Sequence, residues 1–153
     1  MRRIVAKKAF AYDYARPAVT ADIVLITREA QPRVLLIQRA HEPFAGAWAL
    51  PGGFVNVDEP IVDAAKRELH EETGLEIALL EQLYTTGDPG RDPRGWTISI
   101  AFLARVEAGA LQPRAGDDAA AVKWFRINKL PKLAFDHAML VQRAIARIAD
   151  RAA

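Results

Sequence analysis

Between Gly53 and Leu75 the chain reads GFVNVDEPIVDAAKRELHEETGL, and the charges in that stretch suit an ordinary surface helix badly. Pro60 fits the first turn of a helix, where its missing N–H costs nothing, and Asp58 or Glu59 can cap or complement the positive helix end. Gly74 fits a left-handed stop. On the helix between them Glu68, Glu71 and Glu72 stand at i, i+3 and i+4, so their side chains project from one face. Like charges at that spacing destabilise a helix by roughly 0.2–0.5 kcal/mol per pair. A hard divalent cation reverses the sign of this effect, because Mg²⁺ and Mn²⁺ prefer oxygen ligands and keep exchangeable waters. The cluster therefore asks for a metal.

Arg67 precedes the cluster and can reach Glu71 at i+4 or fold back toward Glu59, holding a carboxylate in a ligating orientation. Ile61, Ala65 and Leu69 recur every four residues on a different face, which predicts packing against a sheet. The plainer alternative is a solvated, Glu-rich amphipathic helix with ordinary charge pairs. Gly53, Glu59, Arg67 and Gly74 at fixed offsets from the cluster argue against it.

At 153 residues with 51% apolar content, the chain is expected to form a single domain over 1–153 with a proper core. Its apolar runs, such as Ile23 to Ile26 and Val34 to Ile37, are too short to span a bilayer, and its start lacks the continuous hydrophobic stretch of a signal peptide. No membrane partner is expected, and the cytoplasm is the expected location. The absence of cysteine excludes disulfides and thiolate chemistry. A net charge of +2, scattered along the chain, gives no argument for nucleic acid.

The pattern predicts an α/β fold. Val19 to Thr27 and Arg33 to Arg39 read as a hairpin turning at Glu29 to Pro32. Glu76 to Tyr84, Thr97 to Arg105 and Ala121 to Ile127 read as further strands. Asp136 to Arg151 reads as a helix burying Leu140, Val141, Ala144, Ile145 and Ile148. The Gly/Pro/Arg-rich stretch from Gly87 to Gly95 lies between two strands, where loops often carry function.

The segment 53–75 fills the pattern G-x5-E-x7-R-E-U-x-E-E-x-G-U, with U a bulky aliphatic, and so resembles the Nudix box. Outside it, Pro-Ala-Val-Thr-Ala-Asp at 17–22, Trp48-Ala-Leu-Pro-Gly-Gly-Phe54, Pro89 fifteen positions after Gly74, Arg91-Asp-Pro-Arg-Gly95 and Leu133-Ala-Phe-Asp-His137 are similar to bacterial and archaeal ADP-ribose pyrophosphatases of the Nudix superfamily. The resemblance implies an α/β/α sandwich, a mixed β-sheet between helices with the box as loop-helix-loop. It implies cleavage of a nucleoside diphosphate, ADP-ribose plus water giving AMP and ribose 5-phosphate. It also implies that the Gly53 carbonyl, Glu68, Glu71 and Glu72 hold one to three Mg²⁺ ions, Mn²⁺ being a possible substitute.

Within that resemblance Glu71 can serve as ligand or as general base beside Glu72, with Glu59 and Arg67 as supports. Asp117 and Asp118 lie where relatives bring a further carboxylate toward the metal, and Asp118 is the metal candidate, although a solvated turn after Gly116 accounts for the pair equally well. Arg39 resembles an arginine that relatives use near the diphosphate or terminal ribose; Arg91 and Arg94 offer two fork-shaped donors from a proline-stiffened loop. Phe44, Trp48 and Phe135 either stack on adenine or fill the core. His137 is either a pocket residue or simply packed behind a capping Asp136.

Two rival readings share these residues. One is a sensor that binds ADP-ribose or a related metabolite without catalysis; such relatives usually carry a winged-helix domain, for which this chain leaves no room. The other is the same chemistry on another nucleoside diphosphate derivative or a nucleoside triphosphate. A homodimer is the expected assembly, since soluble oligomers are most often twofold. The segment from Arg3 to Ala15, with Phe10, Tyr12 and Tyr14 alternating, can add a strand exchanged across it.

Overall fold

The structure, a computed structural model, describes residues 10–116 and 118–153. Its centre is the strand β1 (Ala18–Arg28), which runs parallel to β6 (Thr97–Glu107) in register from Ala18↔Thr97 to Arg28↔Glu107. Strand β5 (Glu81–Thr86) lies antiparallel to β6 on its far side. On the other flank, β2 (Arg33–Arg39) meets β1 at Ile26↔Val34 and carries β7 (Ala119–Arg126) along its outer side.

The β1–β2 hairpin opens like a fork toward its far end. There β3 (Trp48–Ala49) pairs with Ile37 and Gln38 of β2, while β4 (Gly52–Phe54) pairs with Thr20, Ala21 and Asp22 of β1. Residues 48–54 thus fill the opening, and the Ile23 N–H bonds to the Pro51 carbonyl at 2.9 Å across it. This placement brings the glycine pair 52–53 beside buried strand residues.

The alternation of β1 decides which side chains meet which helix, because successive strand residues point to opposite faces. Val24 and Ile26 pack with Val34, Leu36, Leu103 and the Leu140, Val141 and Ala144 stripe of α2 (His137–Ala152). Ala21, Ile23 and Leu25 pack with Leu35, Phe102 and the Ala64, Ala65 and Leu69 stripe of α1 (Ile61–Thr73). Each fully buried Leu or Ile contributes about 1.5–3 kcal/mol, so the helices are fixed chiefly by these two stripes. The fold is an α/β/α sandwich with a mixed sheet, as the resemblance implies.

The end of α1 is tied down with care. Gly74 adopts φ 72° and its N–H returns to the His70 carbonyl at 2.8 Å. The Arg114 and Gly116 N–H groups then bond to the Thr73 and Glu72 carbonyls at 2.8 and 2.9 Å, serving acceptors that a helix end leaves free. Gly116 approaches so closely that a Cβ there would collide with the Glu71 carbonyl.

Several expectations are corrected. Pro60 stands one residue before α1, at its N-cap, where its side chain offers no cap hydrogen bond, and Glu59 accepts from Arg67 and from the Asn56 N–H. Ile61 is 37% exposed, and Ala64 takes its expected place on the packed face. Residues 76–80 form no strand: the Ala78 carbonyl accepts from Lys66, and Ile77 and Leu80 turn under α1, so β5 begins only at Glu81. Of the leading segment, residues 3–9 lie outside the described residues and 10–15 carry no strand. Leu69→Ala should cost about 2–5 kcal/mol by leaving a cavity, whereas Ile61→Ala should cost less than about 1 kcal/mol. Chemical denaturation of both variants checks this.

Candidate active site

Gly52 and Gly53 present opposite faces of β4. A Cβ on Gly53 would run into the Glu68 carboxylate from α1, whereas a Cβ on Gly52 would run into Asp22 from β1. Both positions need glycine because side chains from two other elements occupy the space where a substituent would stand. The Gly53 backbone and the Glu68 carboxylate are thereby held in contact.

On the α1 side, the Arg67 guanidinium organises the carboxylates. It donates to Glu59 from Nε at 2.6 Å and Nη2 at 3.0 Å, to Glu68 from Nη1 at 2.5 Å, to Glu71 at 3.1 Å and to the Phe54 carbonyl at 3.0 Å. Both of its expected contacts are made at once. These bonds hold Glu59 below the usual carboxylate range and Arg67 above its own. Glu71 stays half exposed at the rim.

Glu72 turns inward. It is 9% exposed and its Oε2 accepts the Gly52 N–H at 2.9 Å. Burial pushes its pKa up to about 8, against that hydrogen bond and reinforced by the charges of Glu68 and Asp22. Burial also raises Glu68, more than Arg67 lowers it. Two carboxyls reluctant to ionise, beside a backbone carbonyl and with only oxygen donors, fit a hard divalent cation, which would restore their charge. Among the described residues no three acidic or imidazole groups close into a complete cage.

On the α2 side lies a cleft lined by Thr20, Asp22, Arg39, Leu50, Arg91, Asp92, Arg94, Phe135 and His137, continuous with Gly52, Gly53 and Glu72. Arg39, at the end of β2, places its guanidinium 5.0 Å from the centre of the Phe135 ring and donates from Nε to the Pro43 carbonyl at 2.7 Å. Arg94 lies 5.0 Å from the same ring and 4.6 Å from that of Phe54. Burial, and then the neighbouring Arg94 cation, depress the Arg39 pKa. Two guanidiniums crowded on one ring make a site for an anion. Phe135, at φ 52°, and Phe44, at φ 62°, pack edge to face at 4.9 Å in a left-handed backbone that such residues seldom adopt, the kind of strain found at ligand sites.

Other expected residues sit differently. The Arg91 side chain is 6% exposed and spends its fork on Asp136, at 2.8 and 2.6 Å, as Arg94 donates to Asp92 at 2.7 Å, so neither is a free donor. Asp136 accordingly does not cap α2; it accepts from Arg91 and from Thr86 at 2.9 Å. Trp48 is half-buried against the core, with its ring 4.7 Å from Phe125, outside the cleft lining. Asp118 is exposed, 3.9 Å from His41 and apart from the glutamates, and Asp117 lies outside the described residues. His137 is buried and neutral, its pKa lowered by burial, with Nδ1 accepting the Leu50 N–H at 3.0 Å. Asp22 and Asp92 enter the cleft without having been singled out from the sequence. A polar residue inside an apolar strand run was the available signal for Asp22.

The Arg91 and Asp136 pair spans two elements, and removing one partner strands the other. Arg91→Ala should therefore lower stability by about 3 kcal/mol, and Arg94→Ala, which strands the buried Asp92 carboxylate, should lower it as well. Urea titrations of the two variants check this.

Comparison with known proteins gives the same architecture a lineage. The NUDIX domain family model matches residues 16–144. The chain is 45% identical over 129 residues to an ADP-ribose pyrophosphatase of Methanocaldococcus jannaschii, covering 84% of this chain and 73% of that protein. It is 36% identical over 144 residues to an ADPR-responsive transcriptional repressor of Acinetobacter baylyi, covering 91% of this chain but only 57% of the repressor. Among solved structures, the NUDIX domain of Shewanella oneidensis NrtR complexed with ADP ribose superimposes with a TM-score of 0.79 at 36% identity, covering 90% of this chain and 94% of that one. With its box helix, its sandwich and these relatives in agreement, the chain belongs to the Nudix family.

Proposed function

We propose that the cleft binds ADP-ribose and hydrolyses its diphosphate to AMP and ribose 5-phosphate with the help of Mg²⁺, for which Mn²⁺ can substitute. The observation that carries this reading is a cleft that joins the box helix to arginines: buried Glu72 beside Gly52 and Gly53, with partly buried Glu68 against Gly53, and Arg39 and Arg94 around Phe135. The relative of Methanocaldococcus jannaschii, named an ADP-ribose pyrophosphatase, supports the choice of substrate.

Glu68, Glu72, Glu71 and the Gly53 carbonyl would hold the ion. Such an ion supplies neutralisation of the diphosphate charge and makes water acidic enough to attack phosphorus. Arg67 keeps Glu68 and Glu71 oriented while Glu59 anchors Arg67 from behind. Glu71 accepts from Arg67 through Oε2, which leaves Oε1 to take a proton at the exposed rim. Arg39 and Arg94 hold the far phosphate and ribose end, and Phe135 supplies the surface against which that end rests. A cytoplasmic homodimer is the proposed setting.

A second reading has its own support. The relative of Acinetobacter baylyi is named a repressor, and the NrtR domain was solved with ADP ribose bound, so a similar fold also serves ligand recognition tied to transcription. The full set of box glutamates favours hydrolysis over sensing here.

The test is hydrolysis of ADP-ribose, NADH, diadenosine polyphosphates and nucleoside triphosphates with Mg²⁺ or Mn²⁺. ADP-ribose should turn over fastest, giving AMP and ribose 5-phosphate. Glu72→Gln should lower kcat at least about 100-fold, since losing a metal ligand should exceed the 10–100-fold typical of outer positions. Preference for another substrate would overturn the specificity; ADP-ribose bound without turnover would make the sensor reading the better one.

A further inference from the structure

Asp22 is a buried carboxylate for which the mechanism above has no use. It is 6% exposed, lines the cleft, and projects from β1 on the face of the sheet occupied by His137. Its Oδ2 accepts the Ser99 hydroxyl. Its Oδ1 faces His137 Nε2 at 3.6 Å, too long for a hydrogen bond. Because His137 Nδ1 accepts the Leu50 N–H, the imidazole proton sits on Nε2 and places a neutral N–H dipole beside the carboxylate.

Gly52 supplies the second observation. It is the cross-strand partner of Asp22, and a Cβ there would lie on Oδ1. Only a bare backbone at position 52 leaves room for that oxygen, which belongs to a residue lining the cleft. His137 Nε2 does not reach it at hydrogen-bond distance, so a donor brought by a ligand gains by meeting it.

The neighbouring charges restrict what that group can be. Arg91 is spent on Asp136 and Arg94 on Asp92, while Arg39 donates to Pro43. An anionic group at Oδ1 would be repelled by Asp22 and by Asp92 in the same cleft. A neutral hydroxyl can donate to Oδ1 without adding charge. We propose that Asp22 accepts a hydrogen bond from a sugar hydroxyl of the substrate, across β4 from the glutamates, and so selects for sugar-bearing diphosphates. This specificity role rests on the nucleoside diphosphate reading of the cleft.

Two ADP-ribose analogues test it, one lacking a hydroxyl on the adenosine ribose and one lacking a hydroxyl on the terminal ribose. In the parent protein one of them should lose at least about tenfold in kcat/KM, mostly through KM, because an acceptor is left unpaired. In Asp22→Asn, which keeps the shape and one acceptor for Ser99, the penalty for that analogue should shrink toward none. Equal kcat/KM for all three compounds in the parent would overturn the role without any variant being needed. An undiminished penalty in Asp22→Asn would also overturn it, as would a change in metal requirement in place of the hydroxyl preference. If the parent binds the compounds without turning them over, the same ratios are read as Kd by calorimetry, and hydrolysis alone is lost. Failure of all three to bind would remove the nucleotide reading and this role with it.

Discussion

The hydrogen bond from the Gly52 N–H to Glu72 joins the box helix to the fork in the sheet, and the arrangement of the cleft depends on it. It requires β4 to enter between β1 and β2, which requires the hairpin to open after Ile26↔Val34. It also requires α1 to present Glu72 inward while Leu69 stays in the core, a demand met because the two positions differ by almost one turn. The N–H groups of Arg114 and Gly116 then lock the helix end at which Glu72 sits. Backbone donors from β4 and from the loop at 114–116 thus fix the side chain and the backbone of Glu72.

The result is a site in which carboxyls of the box helix and guanidiniums meet around a three-residue strand. Arg67 and burial press the carboxyls together, and Glu72 is short of positive charge. Arg39 and Arg94 share the Phe135 ring, with Asp92 already paired to Arg94. A ligand with a diphosphate at its centre can serve both, through a cation on one side and directly on the other. This complementarity suits an enzyme and a binding protein alike, and what separates them is whether the carboxyl face activates water.

The box helix, the major strands and the buried stripe of α2 were legible from sequence because each rests on local periodicity and on stop signals such as Gly74. Arg67 was legible because its partners lie within one or two turns, apart from Glu59 just ahead of the helix. The roles of Arg91, Trp48 and Asp136 were not. Arg91 meets Asp136 across 45 positions, and Ser99 meets Asp22 across 77. No local pattern reports such pairs. Strands β3 and β4 escaped for a different reason: at two and three residues they are too short to show alternation, and only the open fork gives them partners. Residues 76–80 carry an apolar run that serves the underside of α1 as well as it would serve a strand.

The central claim is that Glu72 is kept short of charge until a divalent ion arrives. Calorimetric titration of the protein with Mn²⁺, repeated in buffers of different protonation enthalpy, counts the protons released. With the Glu72 pKa raised to about 8, its proton is held at neutral pH and must leave for the ion to bind, so proton release should accompany binding and fade as the pH rises past about 8. The sign follows from burial, which favours the protonated carboxyl, and a cation reverses that preference. Proton release at neutral pH that disappears in Glu72→Gln is the predicted result; binding without proton release, or with release unchanged in that variant, would contradict it.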